Sequence, residues 1–142
     1  MNEKEKELLF KDLCTRLPYG VKVHACYEPT GEWFDAELIG LDYTNKDVDY
    51  SVQYTDSKCP YAGSTTKIKP YLRSMSSMTE EECIELSHLF PSETDVWKYI
   101  KTPVPLHIAN PEQFDFFHKK HLDWRGLIPK GLALEAPNGM YA

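Results

Sequence analysis

Residues 20–56 read GVKVHACYEPTGEWFDAELIGLDYTNKDVDYSVQYTD, and their rhythm decides the fold. Val21, Val23, Ala25 and Tyr27 alternate with Lys22, His24, Cys26 and Glu28. Phe34, Ala36 and Leu38 alternate with Asp35 and Glu37, and Val48, Tyr50, Val52 and Tyr54 with Asp47, Asp49, Ser51 and Gln53. A period of two sends each apolar set to one face of a strand. Pro29-Thr30-Gly31 and Thr44-Asn45-Lys46 carry turn chemistry between the runs. Ile39 and Leu41 fall out of phase with Phe34 to Leu38, so Gly40 is expected to mark a bulge. A loop over residues 56–64 and a short strand near Thr66 to Tyr71 complete four to five antiparallel strands. Such a sheet, apolar on one face, must close on itself or be covered.

Working outward, the period changes. Leu9, Phe10, Leu13, Cys14 and Leu17 recur at spacings of three and four, which predicts a helix with Glu5, Lys11, Asp12 and Arg16 off the apolar stripe. Pro18 and Gly20 end it. Downstream, Thr79 with Glu82 forms a capping box, and Met78 is placed to staple against Cys83. Cys83, Leu86, Leu89 and Phe90 then supply a stripe up to Pro91. Asn110-Pro111-Glu112-Gln113 starts a further helix whose inner face holds Phe114, Phe117, His118 and His121. The tail from Leu122 is apolar but broken by Gly126, Pro129, Gly131 and Pro137, and should pack as irregular structure. The 142 residues therefore read as one domain. Residues 1–18 are an N-terminal helix, 19–73 a barrel, and 74–142 a helical C-terminal extension ending in the apolar tail. The expected class is α+β, an antiparallel β-barrel with an N-terminal helix and C-terminal helices packed on it.

Three motifs stand out within residues 20–56: a Gly-x-x-Val strand from Gly20, Trp33-Phe34-Asp35-Ala36-Glu37-Leu38, and the Tyr-x-Val-x-Tyr-x-Asp strand from Tyr50 to Asp56. Together they resemble the Tudor and SH3-like small-barrel pattern, over about a quarter of the chain. The stretches PYLRSMSSMTEEE and LDWRGLIPKGLALEAPNGMY resemble a family of small proteins of gut bacteria and their phages; that likeness implies no function. In Tudor-like domains an aromatic cage at one barrel mouth holds a methylated ammonium by cation–π attraction. The positions matching it here are Tyr27, Trp33, Phe34 and Tyr54, with Asp56 adding a carboxylate. The plainer reading makes Phe34, Tyr50 and Tyr54 core aromatics and leaves Trp33 covering a barrel end.

Charge narrows the partner. The net charge of −6 disfavours a polyanion, because sequence-independent nucleic-acid binding needs excess Lys and Arg. Residues 20–60 hold eight acids against three bases, and residues 79–95 six acids and no Lys or Arg. A protein or peptide partner, basic rather than acidic, is therefore expected, with nucleic acid unlikely. A nucleic-acid face would have to be built from Lys67, Lys69, Arg73, Lys119 and Lys120. The opening MNEKEKELLFKDL is charged throughout and lacks a signal core, and no apolar run nears the ~20 residues that span a bilayer. A cytoplasmic location and no membrane partner are expected.

Four cysteines, at 14, 26, 59 and 83, show no C-x-x-C pair and no zinc framework. His118 and His121, three apart with Asp115 and Asp123 near, offer a metal-like spacing, but a packed histidine pair is the stronger reading, so no metal and no cofactor are expected. His24 and Cys26 share a strand face without a third group, and Ser76 and Ser77 near Arg73 sit at a helix start where an anion could bind. No catalytic residue is assigned. The expectation is a non-enzymatic protein- or peptide-interaction module. The alternative is a small enzyme or ligand-binding protein with a pocket between barrel and C-terminal helices.

Overall fold

A computed structural model describes residues 2–44, 47–54, 62–89 and 111–141. Helix α1 (Glu3–Arg16) opens on a capping box, in which Asn2 accepts from the Glu5 N–H and Glu5 accepts from the Asn2 N–H. Leu9 and Leu13 enter the core as the stripe requires, each burial contributing roughly 1.5–3 kcal/mol. The helix tightens into a 3₁₀ turn at Leu17–Tyr19, where Pro18 cannot continue the ladder, and Gly20 takes the left-handed φ of 68° that turns the chain into the sheet.

Strands β1 (Lys22–Tyr27), β2 (Glu32–Thr44), β3 (Asp47–Tyr54), β4 (Ala62–Thr65) and β5 (Ile68–Leu72) build an antiparallel sheet. The two-residue β6 (Leu134–Glu135) adds in parallel to β5, giving the order β4-β3-β2-β1-β5-β6 in an open sheet. The turn after Tyr27 closes with the Thr30 and Gly31 N–H groups on the Tyr27 carbonyl. The register of β2 on β3 shifts between Leu38 and Gly40, which is the bulge expected there. It lets the long β2 pair with β1 through its first half and with β3 through its second. The sheet is strongly curled. Thr65 Oγ1, at the end of β4, donates to the Cys26 carbonyl of β1 at 2.7 Å, although three inter-strand steps of ~4.8 Å separate those strands in a flat sheet. The inner face carries Val23, Ala25, Ala36, Leu38, Tyr50, Val52, Ile68 and Leu72, which join Leu9 and Leu13 and the tail residues Leu127, Leu132 and Ala133 in one core.

Two expectations are corrected here. Residues 62–64, read as the end of a loop, form β4 together with Thr65, because small and hydroxyl residues suffice for backbone pairing without an apolar rhythm. Part of the tail read as irregular pairs with β5 as β6. Residues 45–46 and 55–61, which hold the second turn and most of the expected loop, lie outside the described residues.

The C-terminal part makes a second core. Helix α2 (Glu80–Ser87) starts at the Thr79–Glu82 capping box, and helix α3 (Pro111–Lys119) packs Phe116 and Phe117 against Met78, Cys83, Leu86 and Leu122. The end of α3 reverses through His121, whose φ is 58°, with the Leu122 N–H on the Phe117 carbonyl and the His121 N–H on the His118 carbonyl. The Asp123 carboxylate then accepts from the Leu127 and Ile128 N–H groups at 2.7 and 2.9 Å and fixes the following turn. Phe90 and Asn110, read as the end of one helix and the cap of the next, lie outside the described residues. Among the described residues no helix is long and apolar enough to cross a membrane.

Candidate functional site

Period two places Lys22, His24 and Cys26 on the outer face of β1, and the β1–β2 register sets His24 opposite Asp35 and Cys26 opposite Trp33. On the other side His24 faces Lys69 of β5. These pairings assemble a ladder. The Tyr71 hydroxyl donates to Asp35 Oδ1 at 2.6 Å, Asp35 Oδ1 lies 3.0 Å from His24 Nδ1, and the His24 ring stacks on Trp33 with centroids 5.1 Å apart and planes 16° apart. Burial, reinforced by the Asp35 charge and hydrogen bond, pushes the Tyr71 hydroxyl up to about 12. For Asp35 partial burial acts upward, but hydrogen bonds from Tyr71 and His24 outweigh it and hold the carboxyl below its usual range. Trp33 thus stays 43% exposed yet oriented by three partners in series.

Trp33 also lines a cleft of about 940 Å³ between α1 and the sheet. Its apolar lining comes from Leu9 and Phe10 of α1, Val48 and Tyr50 of β3, and Ile68 of β5. Burial, with a smaller push from Cys14, moves the Tyr50 hydroxyl up to about 12. Charged side chains complete it: Glu3, Lys6, Glu7 and Lys11 from α1, and Lys67 and Lys69 from the link into β5 and from β5 itself. The α1 charges pair along the helix, Lys6 with Glu3 at 3.6 Å and Lys11 with Glu7 at 3.1 Å, and all four remain well exposed.

Of the residues expected to form an aromatic rim, Trp33 alone lines the cleft among those with described side chains. Tyr27 is exposed beside the β1–β2 turn. Phe34 is half-buried against the core, on the opposite face of β2 from its neighbour Trp33. Adjacent strand residues point to opposite faces, so those two do not wall one cage. Tyr54 pairs with Ala36 in β3, but its side chain, like all of Asp56, lies outside the described residues.

The other candidates turn inward. His118 and His121 are buried in a polar knot that ties α1 to the C-terminal segment. Its centre is Asp12, fully buried, which accepts from Arg16 Nε at 2.8 Å and Nη2 at 3.2 Å and from Arg125 Nε at 3.1 Å. Arg16 Nη2 also donates to the Leu122 carbonyl at 2.7 Å. The guanidinium of Arg125 lies 4.1 Å from the Trp124 ring, Trp124 Nε1–H donates to His118 Nε2, and His121 stacks on Tyr141 at 3.9 Å. Burial, with Arg16 adding repulsion, pulls both histidines down to about 4. Asp12 and Arg16, read as lying off the apolar stripe, are therefore at the heart of the fold, where besides pairing with each other Asp12 accepts from Arg125 and Arg16 donates to the Leu122 carbonyl. Arg125, far along the chain in the tail, reaches back to Asp12 of α1. Among the described residues no group of three His, Cys, Asp or Glu side chains could hold a metal.

Arg73, the cation beside Ser76 and Ser77, is gripped by Glu82 through two bonds of 2.6 and 2.8 Å and also donates to the Ser77 carbonyl. Arg73 draws the Glu82 carboxyl down to about 2 against the opposing effect of burial. At that helix start, where an anion could have bound, the cation is taken up by Glu82. The cleft itself escaped sequence reasoning, although Phe10, which widens the helical stripe beyond what the core needs, and the run Lys67 to Lys69 were its visible traces. No protein-family model, curated protein or solved structure matches the chain.

Proposed function

We propose that the protein is a non-enzymatic interaction module that docks a peptide segment of another protein in the cleft between α1 and the sheet, with Trp33 as its aromatic anchor. The observation that carries this reading is the cleft: an apolar lining, charged residues around it, and a Trp side chain exposed but pre-oriented by His24, Asp35 and Tyr71. Aromatic anchors held in place before binding dominate interface energies, since less freedom is lost on association. The fold suits the role. The meander order, the short β4–β5 link and the Thr65–Cys26 bond support a partly open SH3/Tudor-like barrel, within a chain akin to small proteins of gut bacteria and their phages. The enzymatic alternative would be favoured by His24, His118, His121, Arg73 and acidic side chains clustering around one deep pocket. Yet among the described residues His24, His118, His121 and Arg73 are all missing from the lining of the cleft.

The test is selection of binders to the full-length protein from a displayed random-peptide library, followed by titration of the synthetic peptides. Trp33→Ala should weaken the selected peptides by ten-fold or more, in line with the ~2 kcal/mol of a hot spot. Its unfolding free energy should move by no more than about 2 kcal/mol, because the residue is only partly buried, at 43% exposure. Peptides that bind Trp33→Ala and Phe10→Ala variants as tightly as the parent would place the docking surface elsewhere.

A further inference from the structure

The global charge and the local charge of the cleft have opposite signs. The chain carries −6, whereas the described residues lining the cleft include four lysines against two glutamates. Locality decides which matters, since at physiological ionic strength charges beyond a Debye length of ~8 Å are largely screened. A docked segment therefore responds to the lysines beside it and only weakly to the acids of distant strands. The lysines are also available. Lys6 and Lys11 are held only by exposed pairs with Glu3 and Glu7, of the kind worth little in water. Among the described residues Lys67 and Lys69 make no ion pair, although Lys67 is near enough to Glu28 to help lower its carboxyl.

Resting on the docking role proposed above, we infer that the natural occupant of this cleft is an acidic amphipathic peptide segment, with apolar side chains on Phe10, Val48 and Trp33 and carboxylates toward Lys67, Lys69, Lys6 and Lys11. The dimensions agree. The helical wall from Glu3 to Lys11 rises about 12 Å at ~1.5 Å per residue, the length of two turns of a docked helix. Helix-in-groove recognition reads apolar anchors at spacings of three and four, which leaves the flanking positions free for Glu or Asp. A basic segment, the partner suggested by the overall composition, meets four ammonium groups here instead.

The experiment compares two synthetic peptides of about 14 residues with identical Leu and Phe positions at helical spacing, one with Glu and one with Lys elsewhere. Decanoate serves as a non-peptide apolar anion. Each is titrated into the isotope-labelled full-length protein while the Trp33 indole and Phe10 resonances are followed. The Glu peptide should shift both and bind about ten-fold more tightly than the Lys peptide, with the preference shrinking at about 0.5 M salt. A K67E/K69E variant should reverse that order; Lys67 is exposed and Lys69 half-buried, and an unchanged unfolding midpoint confirms that the fold persists. Equal or tighter binding of the Lys peptide at the same resonances overturns the acidic occupant and leaves the docking cleft standing. Shifts with decanoate alone overturn it in favour of a small-molecule pocket. No shift with any of the three removes the docking role and this inference with it.

Discussion

The molecule uses one set of residue types in two places and to opposite ends. In the knot, Asp12 with Arg16 and Arg125 and the histidines beside Trp124 and Tyr141 are turned inward, with Asp12 and Arg16 wholly buried. In the outer ladder, Asp35, His24, Tyr71 and Trp33 repeat a carboxylate, an imidazole and aromatic rings, but at the surface, with the Asp35 side chain 55% exposed. Burial decides the role. Inside, every charge needs a partner, and the network locks α1 to the C-terminal segment. Outside, water satisfies what the partners do not, so the same contacts serve to aim a ring. A sequence motif of His, Asp and aromatics therefore says little until its depth is known.

The largest effect expected follows from removing the same group in each region. Asp12→Ala leaves two guanidinium groups facing each other without the carboxylate, one of them fully buried, and should cost about 3–5 kcal/mol of unfolding free energy. Asp35→Ala removes a partly solvated group and should cost under about 1 kcal/mol. Urea titration of both variants measures the contrast, and equal losses would erase the distinction drawn between the two regions.

Next in size is a pH dependence that belongs to the knot. His118 and His121 are held near pKa 4 by burial and by Arg16, with Arg125 acting on the first and Arg73 and Lys22 on the second, while unfolded histidine titrates near 6.5. Below pH ~6.5 the unfolded chain therefore binds protons that the folded chain refuses. Stability is highest above ~6.5, falls as the pH drops to ~4, and levels out below that as far as these two groups are concerned, each contributing up to about 3 kcal/mol. The paired Glu82, held near 2, acts in a separate window below ~4.5. His118→Gln keeps an acceptor for the Trp124 indole and should remove about half of the slope between pH 6.5 and 4, measured by thermal unfolding across buffers. An unchanged slope would assign the acid sensitivity to carboxylates.

The fold was legible where burial follows apolar rhythm. The alternation over residues 21–54, the bulge at Gly40, the first helix and the Thr79–Glu82 cap all read directly, because side-chain period and capping chemistry are local. Strand β4 was not legible, since Ala62 to Thr65 carry no rhythm and pair through the backbone alone. The depth of Asp12 and Arg16 was hidden for the same reason that a charged pair at helical spacing normally marks a solvated face; only the distant Arg125 and the Leu122 carbonyl, 113 and 106 residues away, make burial tolerable. Of the expected rim, Trp33 and Phe34 were named from the likeness to Tudor-like domains, and their adjacent positions on one strand separate the two rings. The cleft joins residues from α1, β3 and β5, a juxtaposition set by how the helix crosses the sheet.

The smallest effect expected is also the sharpest probe of the ladder. Tyr71→Phe deletes one hydroxyl that donates to Asp35 at 2.6 Å and lies 3.3 Å from His24 Nδ1, and leaves the ring in place. Because burial alone would raise the Asp35 carboxyl and the Tyr71 and His24 hydrogen bonds bring it down, loss of the hydroxyl should move its titration upward, read by carbon NMR of the carboxyl. Stability should change by no more than about 1 kcal/mol, the net worth of one exposed hydrogen bond. If the ladder aims Trp33, loosening its far end should broaden the indole resonance and weaken peptide binding two- to three-fold, since orientation is then part of the cost of association. An Asp35 titration that moves while Trp33 and peptide affinity stay fixed would show that the stacked His24 holds the ring unaided. The outer face would then be a set of separate surface contacts with none of the connectivity that defines the knot.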